Sequence, residues 1–590
     1  MIPYTTQGCA PNQEAIMRIT NKIMQNNTRT NVNTTKVNED ILSTQMSTGK
    51  KNVRPSDDPV TAIRALRLRS DVSQLTQFYK NNIPDADAWL NVTSDALHQV
   101  SEVITGMVKN YNKGVNQYLT AADREIVLQQ LKGLQAEAYA TGNADYAGRY
   151  IFTGYRTDTP LTFTAETSAM YEITEQLNPS DLSTLFHTDT IFKGKKMVDD
   201  GNGNTTEQEV EMDLSKMTTG TQGEYTDVAE QDIANNEYHR IRLSYKELDA
   251  SFTPVITYLD PANPDPSNPG NVKFVEPIKK ALSTDIAPCP YDTVGDDDVI
   301  YLSDTGEILL GKNVYETLSG LKDNDLTRGV NEAEIRVTYR KNEFAKDDLR
   351  PDHYFYCRTP GDNGQLSTIA NEDNPAIMFG TYDKEALQGS ITDANDPKDD
   401  IFYNTKYLAY DYEKQVIEYD VGFNQRLRVN TTADEAFKPG IVREVEDMIR
   451  ALEDLGNIEG VMNNLKEMIE NSTSETEKVT LQKQYDAANK AYTLERENVK
   501  NLFSSGITVM QGYLNAVNVA ATNCGARGSR LDLVRNRMMD QKATFEDLKS
   551  ENEDIDISTT AVQLQSAELT YEASLMATSK IMKTNLMQYI

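Results

Sequence analysis

Apolar residues near the carboxyl end of the chain recur at helical spacing along two lines. The first line repeats every seven residues and consists of Ile555, Val562, Leu569 and Met576, with Ile590 in the same register. The second line consists of Leu575, Met582 and Tyr589 and lies about 100° further around the helix. Neither glycine nor proline interrupts Arg530–Ile590, so a long helix is predicted. Because a surface helix needs only one apolar stripe, two lines indicate two neighbours, one from the same chain and one from another subunit.

The amino-terminal segment predicts a weaker helix. Its apolar residues at helical spacing are Ile19, Ile23, Val37 and Ile41. The same face carries four mediocre helix formers, Asn26, Thr30, Asn33 and Thr34. Because so little burial offsets the entropy of ordering, this helix is expected to fold only against a partner. Together the two ends favour termini that pair and become ordered on assembly, rather than a last helix buried inside one globular domain.

Start and stop signals define further helices in the amino-terminal part. Gly49 is a natural stop for the first helix, and Asp58 followed by Pro59 is a strong start for the second. Thr120 and Asp123 form an acidic capping box for a later helix. Between the second helix and this capping box lies the cleanest coiled-coil pattern of the chain, in which mostly apolar residues alternate in steps of three and four. Its members are Ile83, Ala86, Leu90, Thr93, Leu97, Val100, Ile104, Met107 and Tyr111.

Helical periodicity returns after Pro439. One long track is predicted to consist of Leu481, Tyr485, Ala488, Tyr492, Val499, Leu502, Val509, Tyr513 and Ala516. Cys524–Gly528 is expected to interrupt it, and a last helical region opens with Leu531, Val534 and Met538. Because Glu551–Asp556 is acidic and polar, the rest of the pattern is consistent with one bent helix or with two.

The centre of the chain has a different periodicity. Apolar and polar residues alternate with period two, and polar loops cut the segment. Hairpins are predicted around Asp304–Gly306 and around Glu413–Lys414. The predicted fold is therefore α+β and multidomain, with long antiparallel coiled-coil helices from both termini and an inserted β-rich outer domain.

Four regions follow from these patterns. Residues 1–16 are an extension, either disordered or upstream of a start at Met17. The other three are an inner coiled coil of residues 17–50 with 552–590, a helical shell of residues 51–154 with 441–551, and a solvent-exposed β-rich region of residues 155–440.

Composition narrows the class of function. A net charge of −31 argues against a general nucleic-acid binder. No apolar run is long enough to predict a membrane span, and residues 1–16 show no conventional signal peptide. The four cysteines and four histidines are too scattered to predict a disulfide framework or a zinc site.

Two acidic segments are the candidate metal sites. Asp200–Glu211 has the length of a calcium loop, but Thr205 stands where glycine is required. Asp296–Asp298 is an acidic triplet, a type of segment that is usually a solvated loop. No nucleophile elbow, P-loop, zinc-protease helix or dinucleotide fingerprint occurs. The sequence therefore predicts a protein that is not an enzyme, with no metal, cofactor or catalytic residue.

Five short motifs at the two ends of the chain together resemble the flagellin superfamily. They are Met17-Arg-Ile-Thr-Asn21, Met46-Ser-Thr-Gly-Lys50, Arg54-Pro-Ser-Asp-Asp-Pro-Val60, Gly148-Arg-Tyr-Ile-Phe152 and Arg530-Leu-Asp-Leu-Val-Arg-Asn-Arg537. The residues that carry the resemblance are Gly49, Pro55, Asp57, Asp58, Pro59, Gly148, Arg149, Arg530, Asn536 and Arg537. The proline-flanked aspartates and the Met-Arg-Ile-Thr opening are similar to the hook-filament junction family rather than to filament flagellins.

The resemblance implies a secreted structural protein of the bacterial flagellum. Such a subunit is exported unfolded by the flagellar type III apparatus with an export chaperone. It then forms a ring with other copies of itself between hook-associated protein 1 and the first flagellin subunits, with no nucleic acid bound. The predicted assembly residues are Ile19, Ile23, Val37, Ile41, Val562, Leu569, Leu575, Met576 and Met582. Two alternatives stay open, namely a filament flagellin with an enlarged outer domain and an adhesin or enzyme carried on a flagellin-like stem.

Overall fold

The structure is a computed structural model that describes residues 21–116, 119–188, 191–199, 205–213, 225–227, 233–259, 272–285, 289–322, 333–359, 401–402 and 415–583. Helices and sheets are both present, with long helices at each end, as the sequence predicted. The helices are α1 (Asn21–Thr48), α2 (Pro59–Gln77), α3 (Ile83–Gly114), α4 (Ala121–Glu137), α5 (Lys312–Ser319), α6 (Ala433–Ala436), α7 (Gly440–Asn471), α8 (Glu475–Glu553) and α9 (Ile557–Lys583).

The strands occupy the centre of the chain. They are β1 (Asp145–Tyr146), β2 (Arg149–Tyr150), β3 (Thr167–Leu177), β4 (Leu182–Thr188), β5 (Ile191–Asp199), β6 (Thr205–Asp213), β7 (Tyr225–Asp227), β8 (Asn235–Arg242), β9 (Val255–Leu259), β10 (Val272–Phe274), β11 (Ile278–Ala281), β12 (Val299–Leu302), β13 (Glu307–Leu310), β14 (Ile335–Phe344), β15 (Tyr356–Thr359), β16 (Ile401–Phe402), β17 (Glu418–Gly422) and β18 (Gln425–Arg428).

The described residues divide into two compact units. The first contains those within Met1–Pro84, Asp420–Gln425 and Asp532–Ile590. The second contains those within Asp85–Tyr419 and Arg426–Leu531. Helix α8 contributes residues to both units.

Two sheets of the second unit share one hydrophobic core. The six-stranded sheet has the order β10-β9-β14-β3-β15-β16, and the five-stranded sheet has the order β11-β12-β13-β8-β4. A single buried cluster includes Ile173 from the first sheet and Tyr301 from the second, so the two sheets pack face to face. The predicted hairpin at Asp304–Gly306 is confirmed as β12–β13, where Gly306 has a φ of 68°. The tip of the other predicted hairpin, Glu413–Lys414, lies outside the described residues, as do Asp200 to Asn204 of the candidate calcium loop.

The residues of the coiled-coil line predicted for α3 lie on one buried face. All of its members, from Ile83 to Tyr111, are buried. Within the second unit α3 lies antiparallel to α8, because the Cys524 thiol donates to the Leu90 carbonyl at 3.4 Å while the Tyr111 ring meets the Phe503 ring edge-on at 5.4 Å. The predicted capping box at the start of α4 is also present.

The track predicted for α8 is wrong beyond Val499. The buried line consists of Phe503, Met510, Val517, Cys524, Leu531 and Met538, whereas Val509 is exposed. The expected interruption at Cys524–Gly528 is also wrong, because α8 continues through it. Each glycine weakens a helix by about 1 kcal/mol, and burial of the apolar residues on either side offsets that loss. The break falls instead at residues 554–556, so α8 and α9 are two helices.

Buried ion pairs in the second unit join the five-stranded sheet to α7. Arg240 of β8 pairs with Glu307 of β13 and donates to Asp447 of α7 at 2.5 Å. Arg242 donates to the same Asp447 carboxylate at 2.6 Å, and Arg450 donates to Glu307 at 2.8 Å. The side chains of Arg240, Glu307 and Asp447 are buried, so each charge depends on its partners for stabilisation.

Candidate assembly surface

Helices α1 and α9 pack against each other in the first unit. Six α1 residues with reduced exposure are spaced alternately four and three apart, and they are Thr28, Val32, Thr35, Glu39, Leu42 and Met46. The matching residues of α9 are Thr560, Leu564, Ala567, Tyr571, Ser574 and Thr578. This is the spacing of two helices that lie side by side. Seven of these twelve side chains are small or polar, so the contact is less apolar than a coiled-coil seam with leucine or isoleucine at every position.

The apolar line of Val562, Leu569 and Met576 lies on the side of α9 opposite α1. Each of these residues stands two positions before a residue that faces α1, which is a separation of about 200° around the helix. The exposed fractions of their side chains are 67%, 67% and 65%. We call these three residues the outer line of α9. Within the described chain they project away from the helix that packs on α9.

The other predicted assembly residues are exposed as well. Ile23, Val37 and Ile41 of α1 point away from α9, and their side chains are 47%, 56% and 48% exposed. Leu575 is less exposed, at 44%, and flanks the face that meets α1. Ile19 and the side chain of Met582 lie outside the described residues. Which molecules cover these residues stays a prediction.

An ionic clamp of Lys50, Arg69 and Glu553 ties the end of α1 to the segment before α9. Gly49 ends α1 with a φ of 70°, and its carbonyl accepts a hydrogen bond from the Ile555 N–H at 3.1 Å. The Glu553 carboxylate accepts two hydrogen bonds from the Arg69 guanidinium at 2.6 and 2.8 Å, and one from Lys50 at 3.3 Å. The hydrogen bonds from Arg69 hold the pKa of Glu553 below its usual value of 4.5. The sequence identified Gly49 but missed the clamp, because its partners lie some 500 positions apart.

We expect Glu553→Gln to loosen the pairing of α1 with α9 by about 1 kcal/mol, because Lys50 and Arg69 lose a charged acceptor but are themselves 38% and 54% exposed to solvent. Hydrogen exchange should be faster in α1 of this variant, whereas Glu551→Gln, at an exposed position on the same turn, should leave it unchanged. The folded-state pKa of Glu553 is lowered, so its contribution is complete above about pH 4.5 and is lost as the pH falls through the folded value. Equal exchange in both variants at pH 7 would contradict the clamp.

The proline-flanked motif forms a helix start. Asp58 accepts hydrogen bonds from the N–H groups two and three residues ahead at 3.1 and 3.2 Å, and Pro59 is the first residue of α2. Asp57 accepts from the Arg54 N–H at 3.1 Å and closes the turn that contains Pro55. The predicted cap is confirmed, and these residues act here by fixing the backbone.

Gly148 and Arg149 build a small hairpin in the second unit. Ala147 and Gly148 have φ values of 53° and 75°, which make the tight turn between β1 and β2. The Arg149 guanidinium lies 5.1 Å from the ring centre of the buried Trp89. This motif therefore packs against α3.

The charged and polar residues of the last motif lie on the exposed side of α8, whereas Leu531 and Val534 are buried. Arg530, Asn536 and Arg537 are all exposed, and Arg537 donates to the Gln425 side chain in the first unit. Leu533 between them is 73% exposed. Sequence reasoning did not single out Leu533, because an exposed leucine can be told from a buried one only when the register of the helix is known.

Residues 19–157 match the family model described as the bacterial flagellin N-terminal helical region. The chain is flagellin-like over this region, and the resemblance inferred from the short motifs is confirmed.

The relatives found by sequence are flagellar hook-associated proteins 3. The protein of that name from Escherichia coli (strain K12) is 32% identical over 154 residues, which cover 25% of this chain and 48% of the relative. Its counterpart from Salmonella typhimurium is 28% identical over 177 residues, which cover 29% of this chain and 55% of the relative. The chain thus spans about half the length of the curated relatives it matches.

Solved structures with partial likeness carry related names. The crystal structure of FlgL from Xanthomonas campestris shares 10% identity, covers 83% of this chain and 99% of its own, and gives a TM-score of 0.26. Flagellar hook associated protein-3 from Legionella pneumophila shares 10% identity, covers 81% and 98%, and gives a TM-score of 0.19. These scores are too low to support an argument about the fold. In the part of the chain that the structure describes, no helix has the length and apolar character needed to cross a membrane.

Proposed function

We propose that this protein is a structural, non-enzymatic subunit of the bacterial flagellum that acts as an adaptor at the junction between the hook-associated zone and the flagellin filament. The observation that carries the proposal is the outer line of α9. Three large apolar side chains stand in register, about two-thirds exposed, on the face opposite α1. Such a line is typical of a surface that packs against another helix.

In this proposal the terminal helices supply the contacts between subunits. The face shared by α1 and α9 is less apolar than a full coiled-coil seam, so the pair is weakly held in an isolated chain. Covering the outer line with a helix from a neighbouring copy adds the missing burial and orders both helices. Folding of the termini would then be coupled to incorporation into the assembly.

The proposed organisation has three layers. Residues 17–50 with 552–590 form the inner coiled coil, and residues 51–154 with 441–551 form the helical shell. The buried heptad lines of α3 and α8 support a stiff shell, because each is continuous over many turns. Residues 155–440 form the outer, solvent-exposed part.

The proposed partners are hook-associated protein 1, flagellin, a flagellar export chaperone and further copies of the chain in a ring. The proposed location is extracellular, on the flagellum, after export through the flagellar apparatus. The names of the relatives and the flagellin-like region of residues 19–157 support this assignment.

Deletion of residues 561–590, which removes most of α9, tests the proposal in the bacterium that carries the gene. We expect hooks without filaments, with the truncated protein secreted into the medium, and restoration by the full-length gene. Deletion of residues 17–48 should also stop filament growth. Normal filaments in either strain would contradict the proposal. Long filaments formed by the purified full-length protein alone would favour a filament flagellin instead.

A further inference from the structure

Three side chains of the types that bind transition metals meet in the second unit. His187 lies on β4, whereas Cys289 and Asp292 lie in a turn in which the Asp292 N–H donates to the Cys289 carbonyl at 3.2 Å. One ring nitrogen of His187, the Cys289 sulfur and one carboxylate oxygen of Asp292 all lie within 4.8 Å of one another. Because 105 positions separate His187 from Asp292, the spacing of residues in the sequence gave no sign of this cluster.

Neighbouring groups orient two of the three side chains. Asn236, which pairs with His187 across β4 and β8, donates its side-chain amide to Asp292 Oδ1 at 2.9 Å. The His187 ring stacks on the Tyr291 ring, with 5.0 Å between their centres and 21° between their planes. Hydrogen-bonded and packed supports of this kind hold metal ligands in place and tune their affinity. Asp292 Oδ2 is buried, and no oxygen or nitrogen donor among the described residues reaches it.

The chemistry of the donors selects the ion. A thiolate, an imidazole and one carboxylate suit zinc, whereas calcium and magnesium require shells made almost wholly of oxygen. In a tetrahedral zinc site the donor atoms lie about 3.5 Å apart, so small side-chain rotations would bring these three into range. His187 and Cys289 line a cavity of about 520 Å³, which leaves room for a fourth ligand from solvent.

We propose that His187, Cys289 and Asp292 bind one zinc ion, with an exchangeable water as the fourth ligand. The thiol of Cys289 loses its proton to solvent when the metal binds. The bound ion links β4 to the turn at residues 289–292. This site is independent of the proposed role in the flagellum.

Cobalt(II) tests the proposal, because a cobalt–thiolate bond gives a charge-transfer band in the near ultraviolet. Full-length protein freed of metal with a chelator should bind one equivalent of cobalt(II) and show this band, and one equivalent of zinc should abolish it. Cys289→Ser should remove the band, and both Cys289→Ser and His187→Gln should weaken zinc binding by about 100-fold or more, because losing a ligand costs at least as much as losing a group that supports one. Cys524→Ser replaces a buried cysteine of the same unit on α8, and it should bind as the wild type does.

Circular dichroism of each variant shows whether it is folded. His187→Gln gives a second test if Cys289→Ser does not fold, because the His187 side chain is 30% exposed and its replacement disturbs the core less. Absence of the band in the wild-type protein would overturn the proposal. Undiminished zinc binding by folded Cys289→Ser or folded His187→Gln would also overturn it. Equal loss of zinc binding in Cys524→Ser would also overturn the proposal, because the loss in Cys289→Ser could then not be attributed to a bond between Cys289 and zinc.

Discussion

Replacing Leu569 and Met576 together by aspartate should abolish assembly at the hook and leave the isolated chain folded. The side chains are 67% and 65% exposed, and both point away from α1. In the isolated chain the two carboxylates would therefore stay in water, and we expect the free energy of unfolding to change by no more than about 0.5 kcal/mol. In the assembly the same carboxylates would be buried against apolar side chains without a partner, which costs several kcal/mol for each charge.

The matched control is Gln563→Asp with Thr570→Asp, which adds the same charge to α9 at exposed positions about 100° away from the outer line. Filament growth in cells tests assembly, and hydrogen exchange in α1 and α9 of the purified chain tests whether the helices remain paired. We expect the control to retain filaments and both variants to keep wild-type exchange. Filaments in the Leu569→Asp, Met576→Asp strain, or loss of helix pairing in its purified protein, would contradict the role assigned to the outer line.

Sequence periodicity predicted the helical fold best where one face is wholly buried. Every member of the predicted α3 line is buried, because that face is apolar or small throughout and the opposite face is polar. In α8 the predicted line follows the buried face as far as Val499. Beyond that point it is one residue out of register, because it names Leu502 where Phe503 is the buried residue. Both residues are apolar and adjacent, so the local pattern could not choose between them. The glycines near Cys524 misled the prediction for another reason, since their local weakness is outweighed by packing that only the folded chain shows.

The candidate sites were less predictable. The outer line of α9 was visible in the sequence, but the face that meets α1 was not, because side chains such as Thr560, Ser574 and Thr578 carry no hydrophobic signal. The residues of the ionic clamp and of the proposed zinc site come together only through tertiary structure. Helix caps such as Asp58 were predicted correctly because their partners lie within one turn.

Breaking the buried ion pairs that join the five-stranded sheet to α7 is expected to cause a large loss of stability. Burial disfavours the charged form of Glu307, but Arg450 and Arg240 outweigh it and lower the pKa of Glu307 to about 2. Burial likewise opposes ionisation of Asp447, and Arg240 and Arg242 hold the pKa of Asp447 far below its usual value of 3.8. Both carboxylates are therefore charged at neutral pH, where they stabilise cations that would otherwise be buried without partners.

Asp447→Asn should lower the free energy of unfolding of the second unit by about 3 kcal/mol at pH 7, because Arg240 then loses one of its two carboxylates in a buried site. Glu467→Gln, at an exposed position of the same helix, should have almost no effect. Fluorescence of Trp89, the single tryptophan, reports unfolding of this unit during denaturation with urea. The folded-state pKa values of both carboxylates are lowered, so their stabilisation is complete above about pH 4.5 and is lost as the pH falls toward 2. The difference in free energy of unfolding between the wild type and Asp447→Asn should therefore be smaller at pH 3 than at pH 7. A difference that stays constant over this range would show that the charge of Asp447 is not what stabilises this contact.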